Sequence, residues 1–119
     1  MEKIRDLSIL TIYCAFIFYL SAQPHLPLDK LFSYQDKAMH LFFYALMGLL
    51  AWRSFGHFLQ KRSLLALYCI GFCGLYGLSD EVHQFFVPGR TADSFDLIAD
   101  ITGATISVSV ILVFRPAAT

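Results

Sequence analysis

Four apolar stretches, each close to the length that crosses a bilayer, constrain this chain more than any other feature. They run over about residues 7–22, 38–55, 63–79 and 95–114, with short polar segments between them. A helix needs about 20 apolar residues to cross the hydrocarbon core, with a range of roughly 17 to 25. No stretch alternates with the period of a strand. The pattern therefore predicts an all-α protein: a four-helix transmembrane bundle forming one domain across the 119 residues. The first three stretches are slightly short, so some extension into the interface is expected. Charge content agrees. Charged residues make up 15% of the chain, against about 25% in a soluble domain, too few to cover a water-facing surface. The formal net charge is zero, which gives no reason to expect nucleic acid as a partner.

Lys3 and Arg5 precede the first stretch, as they would in a signal peptide. Around Ser21 and Ala22, however, Tyr19 or Leu20 intrudes where cleavage needs small residues, so an uncleaved first helix is expected. Cys14, Cys69 and Cys73 all lie in apolar stretches without CxxC spacing; Cys69 and Cys73 share a helix face and read as packing. Gly71, Gly74 and Gly77 on the third helix, and Ala99, Gly103 and Ser107 on the fourth, recur at spacings that let helices approach closely. Val87-Pro88-Gly89-Arg90 reads as a turn, with proline presetting φ and glycine accepting positive φ. The many aromatics, Trp52, Phe85 and Phe86 among them, are expected to face lipid or its interface.

Orientation follows from the basic residues. With the N-terminus inside, Lys3, Arg5, Arg53, Lys61, Arg62 and Arg115 are cytoplasmic, and Lys30, Lys37 and Arg90 lie outside. This excess favours both termini in the cytoplasm of a multi-pass cell-membrane protein. His57 and the inner basic residues then read as topology determinants near anionic lipid heads. The carboxylates divide the other way: Glu2 and Asp6 inside, but Asp29, Asp36, Asp80, Glu81, Asp93, Asp96 and Asp100 outside. Acids do not set topology, so their crowding at one face locates function instead.

The crowding is also angular. Asp36, Lys37, His40 and Tyr44 fall within an arc of about 100° on helix two, and Tyr76, Asp80, His83 and Gln84 within a similar arc on helix three, with Glu81 beside it. Asp93, Asp96, Asp100, Gly103 and Ser107 share about 80° on helix four. A charge costs roughly 2.5 to 3.5 kcal/mol at mid-bilayer and less towards the interface. These three stripes should therefore turn inward and meet, with Lys37 and Arg90 pairing some of the carboxylates.

The same residues resemble a known family. Asp36-Lys37-Ala38-Met39-His40-Leu41-Phe42-Phe43-Tyr44 is similar to the DKxxHxxxY signature of VanZ-like proteins, and Tyr76-Gly77-Leu78-Ser79-Asp80-Glu81-Val82-His83-Gln84 to their YGxxDExxQ. Phe86-Val87-Pro88-Gly89-Arg90, then Asp93, Asp96 and Gly103-Ala104, resemble later segments, and Ser21 with Pro24 resembles an SxxP element. Asp100 departs from the pattern, standing where asparagine is expected. The name-giving members are associated with resistance to the glycopeptide teicoplanin, which implies a role at the cell envelope and no particular mechanism.

Chemistry and scaffolding compete at each position. His40 reads as a catalytic acid or base, or as a buried histidine bonded to Asp36 or Tyr44. Asp80 and Glu81 suit proton transfer at a low-dielectric boundary, or pair with Lys37 or Arg90. Arg90 can grip a phosphate or carboxylate with two parallel bonds, or bridge to Asp93 or Asp96; Lys37 allows the same two readings. Asp36, His40, Asp80, Glu81, His83 and Asp96 hold enough oxygen and nitrogen for a metal, but they show no recognised ligand spacing, so no metal and no cofactor is assigned. The catalytic candidates are thus Asp36, His40, Asp80, Glu81 and Gln84. The binding candidates are Lys37, Tyr44, Tyr76, Arg90, Asp93 and Asp96. The favoured function is binding, or acting on, a lipid or lipid-linked cell-wall component at the outer face. A membrane-embedded hydrolase or transferase is the alternative. A small transporter comes third, because residues 7–20 carry no acid and the charges sit at one end rather than along a path.

Overall fold

The computed structural model describes residues 1–23, 34–89 and 93–115. Four helices follow one another: α1 (Glu2–Ala22), α2 (Gln35–Phe55), α3 (Arg62–Phe85) and α4 (Ser94–Phe114), with no strand among the described residues. All four are long and apolar enough to cross a membrane. At 1.5 Å per residue, the 21 residues of α1, α2 or α4 reach about 31 Å, the thickness of the hydrocarbon core. Their outward faces carry exposed Phe16, Phe42, Leu67, Leu75, Ile98 and Val113, which suits lipid and not water.

Every helix begins earlier or ends later than its apolar stretch. The largest difference is at α3, which continues from Ser79 to Phe85. Hydropathy falls there because Asp80, Glu81 and Gln84 enter the sequence, yet these three are buried on the inner side, while Val82 and Phe85 keep the outer side apolar. After α3, Gly89 takes φ 86°, the left-handed conformation expected of the turn. Asp93 then caps α4, its Oδ1 accepting from the Phe95 amide at 2.9 Å.

α2 and α3 each touch all three other helices, whereas α1 and α4 make no contact among the described residues. The most extensive seam joins α2 to α4 and is lined by small residues. A Cβ on Gly103 would overlap the Leu41 carbonyl, and one on Gly48 would lie 2.6 Å from Ser107 Oγ. Close approach of this kind replaces the hydrophobic drive that is missing between helices in lipid. The corresponding expectation fails for Gly71, which faces outward with no neighbour near its Cα, while Gly77 packs against Asp100. Tyr44, Met47, Cys69, Cys73, Ala104 and Val108 form the buried interior, as the shared face of the two cysteines implies. Trp52 differs from the lipid-facing role expected of it: half-buried, it packs against the interior cluster of Ala51, Leu65 and Val108.

α1 is fastened by hydroxyls. Tyr13 donates to the Phe43 carbonyl at 2.5 Å, and Tyr76 donates to the Cys14 carbonyl. At the end that holds both termini, Asp6 is buried and ringed by cations: His57 Nε2 at 2.8 Å, Arg5 at 3.3 Å and Arg53 at 3.5 Å. Ser54 adds a bond to the Asp6 carbonyl at 3.0 Å. Arg62 covers the last turn of α4, donating to the carbonyls of Leu112, at 3.0 Å, and Arg115. His57 and Arg53 therefore lock α2 to α1, a structural task beyond the topological one read from sequence.

Candidate functional site

The opposite end gathers the acidic stripes. Asp80, Glu81, Asp96 and Asp100 are all buried there, between α2, α3 and α4. Two networks hold them. In the first, on the α1 side, Asp80 accepts from Ser21 and from the Tyr44 hydroxyl at 3.4 Å, and Gln84 Nε2 donates to Ser21 Oγ at 3.3 Å. In the second, on the α4 side, Lys37 Nζ reaches Asp93 at 2.8 Å, and Asp36 and Asp96 at 2.9 Å each. The Lys37–Asp96 contact is an ion pair without directed hydrogen-bond geometry. His40 Nδ1 lies 2.7 Å from Asp100 Oδ1, and its Nε2 lies 3.7 Å from Asp96 Oδ2. Glu81 Oε2 accepts from the Asp93 amide at 2.9 Å, which ties α3 to the start of α4.

Positive charge is scarce. Among the described residues Lys37 and His40 are the only basic side chains paired with this cluster, and Lys37 is shared by three carboxylates. Glu81 Oε1, Gln84 Oε1 and Asp100 Oδ2 are buried acceptors with no hydrogen-bond partner among the described residues. Buried polar atoms are partnered in most proteins, so three unpartnered acceptors in one cluster make it the candidate site. At the rim, Asp93 is held below its ordinary range, chiefly by its hydrogen bond from Lys37.

Most of the residues singled out from sequence meet here: Lys37, His40, Tyr44, Asp80, Glu81, Gln84, Asp93 and Asp96. Two described candidates stand apart. Asp36, a catalytic candidate, sits on the first turn of α2 with its side chain 58% exposed and, among the described residues, pairs with Lys37. It lies one turn before His40, past the part of α2 that packs against its neighbours. Tyr76 commits its hydroxyl to the Cys14 carbonyl, so it serves the α1 seam. Arg90 lies outside the described residues. His83, weighed as a metal ligand, stacks on Phe18 of α1 with ring centroids 4.4 Å apart, turned away from the cluster.

Two members were not assigned from sequence. Ser21 brings α1 into the site, a fourth helix where three were expected, and its only signal was the SxxP element. Asp100 is fully buried and central, contacting His40 on α2 and lying against Gly77 on α3.

Four membrane-length apolar helices with a buried carboxylate–histidine cluster at one end define a multi-pass membrane protein. The chain belongs to the VanZ/LLP1 family, whose family model matches residues 7–115. No curated protein and no solved structure matches it.

Proposed function

We propose that the cluster end faces the outside of the cell membrane and receives the head group of a lipid or lipid-linked cell-wall component. The observation that carries this reading is the pairing of a polar site, short of hydrogen-bond partners, with an apolar rim. Phe42, Phe85, Phe86 and Phe95 are exposed on the same helix ends that hold the buried carboxylates. An amphiphile in the leaflet can lay its chains against those rings while its head group reaches Lys37, His40 and the orphaned acceptors. The excess of basic residues at the terminal end supports the orientation. Family membership supports an envelope role linked to glycopeptide resistance.

A specific contact favours a second reading, hydrolysis or group transfer at that head group. His40 is held by Asp100 at 2.7 Å, the arrangement that orients an imidazole for general acid–base work.

The test is the lipid content of protein purified in mild detergent. Mass spectrometry should find an envelope lipid retained by the wild type and depleted in Lys37→Gln, with helicity by circular dichroism unchanged. The same lipid profile in both proteins would refute the binding site. Single cysteines at Gln23 and Gly89, in a background lacking Cys14, Cys69 and Cys73, should react with an impermeant thiol reagent in intact cells or spheroplasts. One at Gln60 should not. The reverse labelling would overturn the orientation.

A further inference from the structure

The site end holds more buried carboxyl groups than basic side chains paired with them among the described residues, and the geometry of that surplus is specific. One nitrogen of His40, one carboxylate oxygen of Glu81 and one of Asp100 lie within 4.8 Å of one another. We propose that these three side chains bind a divalent cation of the Zn²⁺ or Mn²⁺ kind.

Four observations carry the proposal. The spacing is near that of a site: an ion bound at about 2.1 Å sets neighbouring donor atoms about 3 Å apart; His40 Nδ1 and Asp100 Oδ1 are 2.7 Å apart, in a hydrogen bond that an ion would replace, and Glu81 lies within 4.8 Å of both, so binding would draw it inward. Two of the carboxylate oxygens are free to bind. Glu81 is 7% exposed and Asp100 0%, and Glu81 Oε1 and Asp100 Oδ2 have no partner among the described residues. The ligands are held in place: the Asp93 amide fixes the other oxygen of Glu81, and Gly77 lets Asp100 pack directly against α3, where a Cβ would stand 2.8 Å from Asp100 Oδ2. Finally, the neighbouring lysine is occupied elsewhere. Lys37 is engaged with Asp36, Asp93 and Asp96, so no lysine or arginine pairs with Glu81 or Asp100 among the described residues.

One imidazole with two carboxylates selects a borderline first-row ion over Ca²⁺ or Mg²⁺, which take mostly oxygen. Three ligands leave coordination positions open. A bound cation would supply the positive charge that an anionic head group needs at this acid-rich site. Only that use rests on the lipid reading above; the ion site itself stands on the geometry.

The experiment uses full-length protein in detergent, stripped with a chelator and delipidated. Zn²⁺ or Mn²⁺ is added back, and bound metal is measured by mass spectrometry after desalting, alongside the melting curve. The wild type should retain about one ion per chain and melt at a higher temperature when loaded, because an ion that binds only the folded state stabilises it. Glu81→Gln and Asp100→Asn should bind at least about ten-fold more weakly while their metal-free melting stays near that of the wild type. His83→Ala, which alters a histidine outside the trio, should bind as the wild type does. If Asp100→Asn does not fold, Glu81→Gln decides alone. No retained ion in the wild type, or equal retention in Glu81→Gln, overturns the proposal. Lipid retention is scored on separate, undelipidated samples, so lipid bound without metal sinks this inference and spares the proposed function. Metal bound without lipid does the opposite.

Discussion

The two ends of this bundle handle buried acid in opposite ways. At the terminal end one carboxylate, Asp6, is surrounded by Arg5, Arg53 and His57. At the other end, of four buried carboxylates only Asp96 and Asp100 pair with Lys37 or His40 among the described residues, and acceptors are left over. Both arrangements pull helices together, since Asp6 joins α1 to α2 while Glu81 and Lys37 join α2 and α3 to the start of α4. They differ in whether anything is left to bind. On the proposed function, saturation with partners makes a fastening and a deficit of partners makes a receptor.

The largest effect expected is on the deficit end. Asp80→Asn or Glu81→Gln should abolish head-group retention, and any turnover, while protein yield and melting temperature in detergent stay near wild type. Function lost only in proportion to folded protein would turn this end into a second fastening and erase the contrast.

Next comes the seam between the ends. Gly103→Ala places a methyl group on the Leu41 carbonyl, so α2 and α4 must separate. Overpacking of this sort costs about 1–3 kcal/mol, and thermal melting in detergent should register it as a drop of several degrees. An unchanged melting temperature would mean that the seam does not set the register of either end.

A smaller change is expected at the saturated end. Asp6→Asn leaves Arg5, Arg53 and His57 without their carboxylate close to water and lipid heads rather than in hydrocarbon, so melting should fall modestly and lipid and metal binding should persist. Loss of binding in Asp6→Asn would show that the ends are coupled.

The smallest effect concerns the rim. Asp93 sits below its ordinary range because Lys37 donates to it. A group with a lowered folded pKa contributes stability above its unfolded value, near about 3.9, and loses it as pH falls through the folded value. Melting of wild type minus Asp93→Asn should therefore be flat between pH 8 and pH 5 and shrink only in stronger acid. Asparagine can keep the N-cap of α4, so the difference isolates the ion pair. A difference that varies between pH 5 and 8 would assign the contact to another group.

Much of this contrast is legible in the chain. Apolar length alone fixes the four helices, because a membrane span leaves the backbone no other way to satisfy its hydrogen bonds. The helical arcs of His40, Asp80, Glu81 and Asp96 bring them together because a charge beside hydrocarbon has to turn inward. Periodicity does not reveal how the helices sit along one another. That axial register puts Asp36 in the open although it shares the arc of His40, leaves Gly71 without a neighbour, and carries Ser21 to Asp80. The Asp6–His57 fastening went unread for a related reason: charge sign along a sequence reports the side of the membrane, not which side chains cross between helices. Asp100 lay on the inward stripe of α4 and departed from the family pattern, but its place against His40 and Gly77 depends on how closely α4 approaches α2 and α3.

The most direct test of the contrast is an experimental structure of the protein extracted with its native lipids and without chelator. The expected result is non-protein density between α2, α3 and α4, in contact with at least two of His40, Glu81 and Asp100, and no such density around Asp6. A cluster whose acceptors are all satisfied by the protein's own side chains, with nothing bound, would show that both ends are fastenings and contradict the assignment of a receptor site.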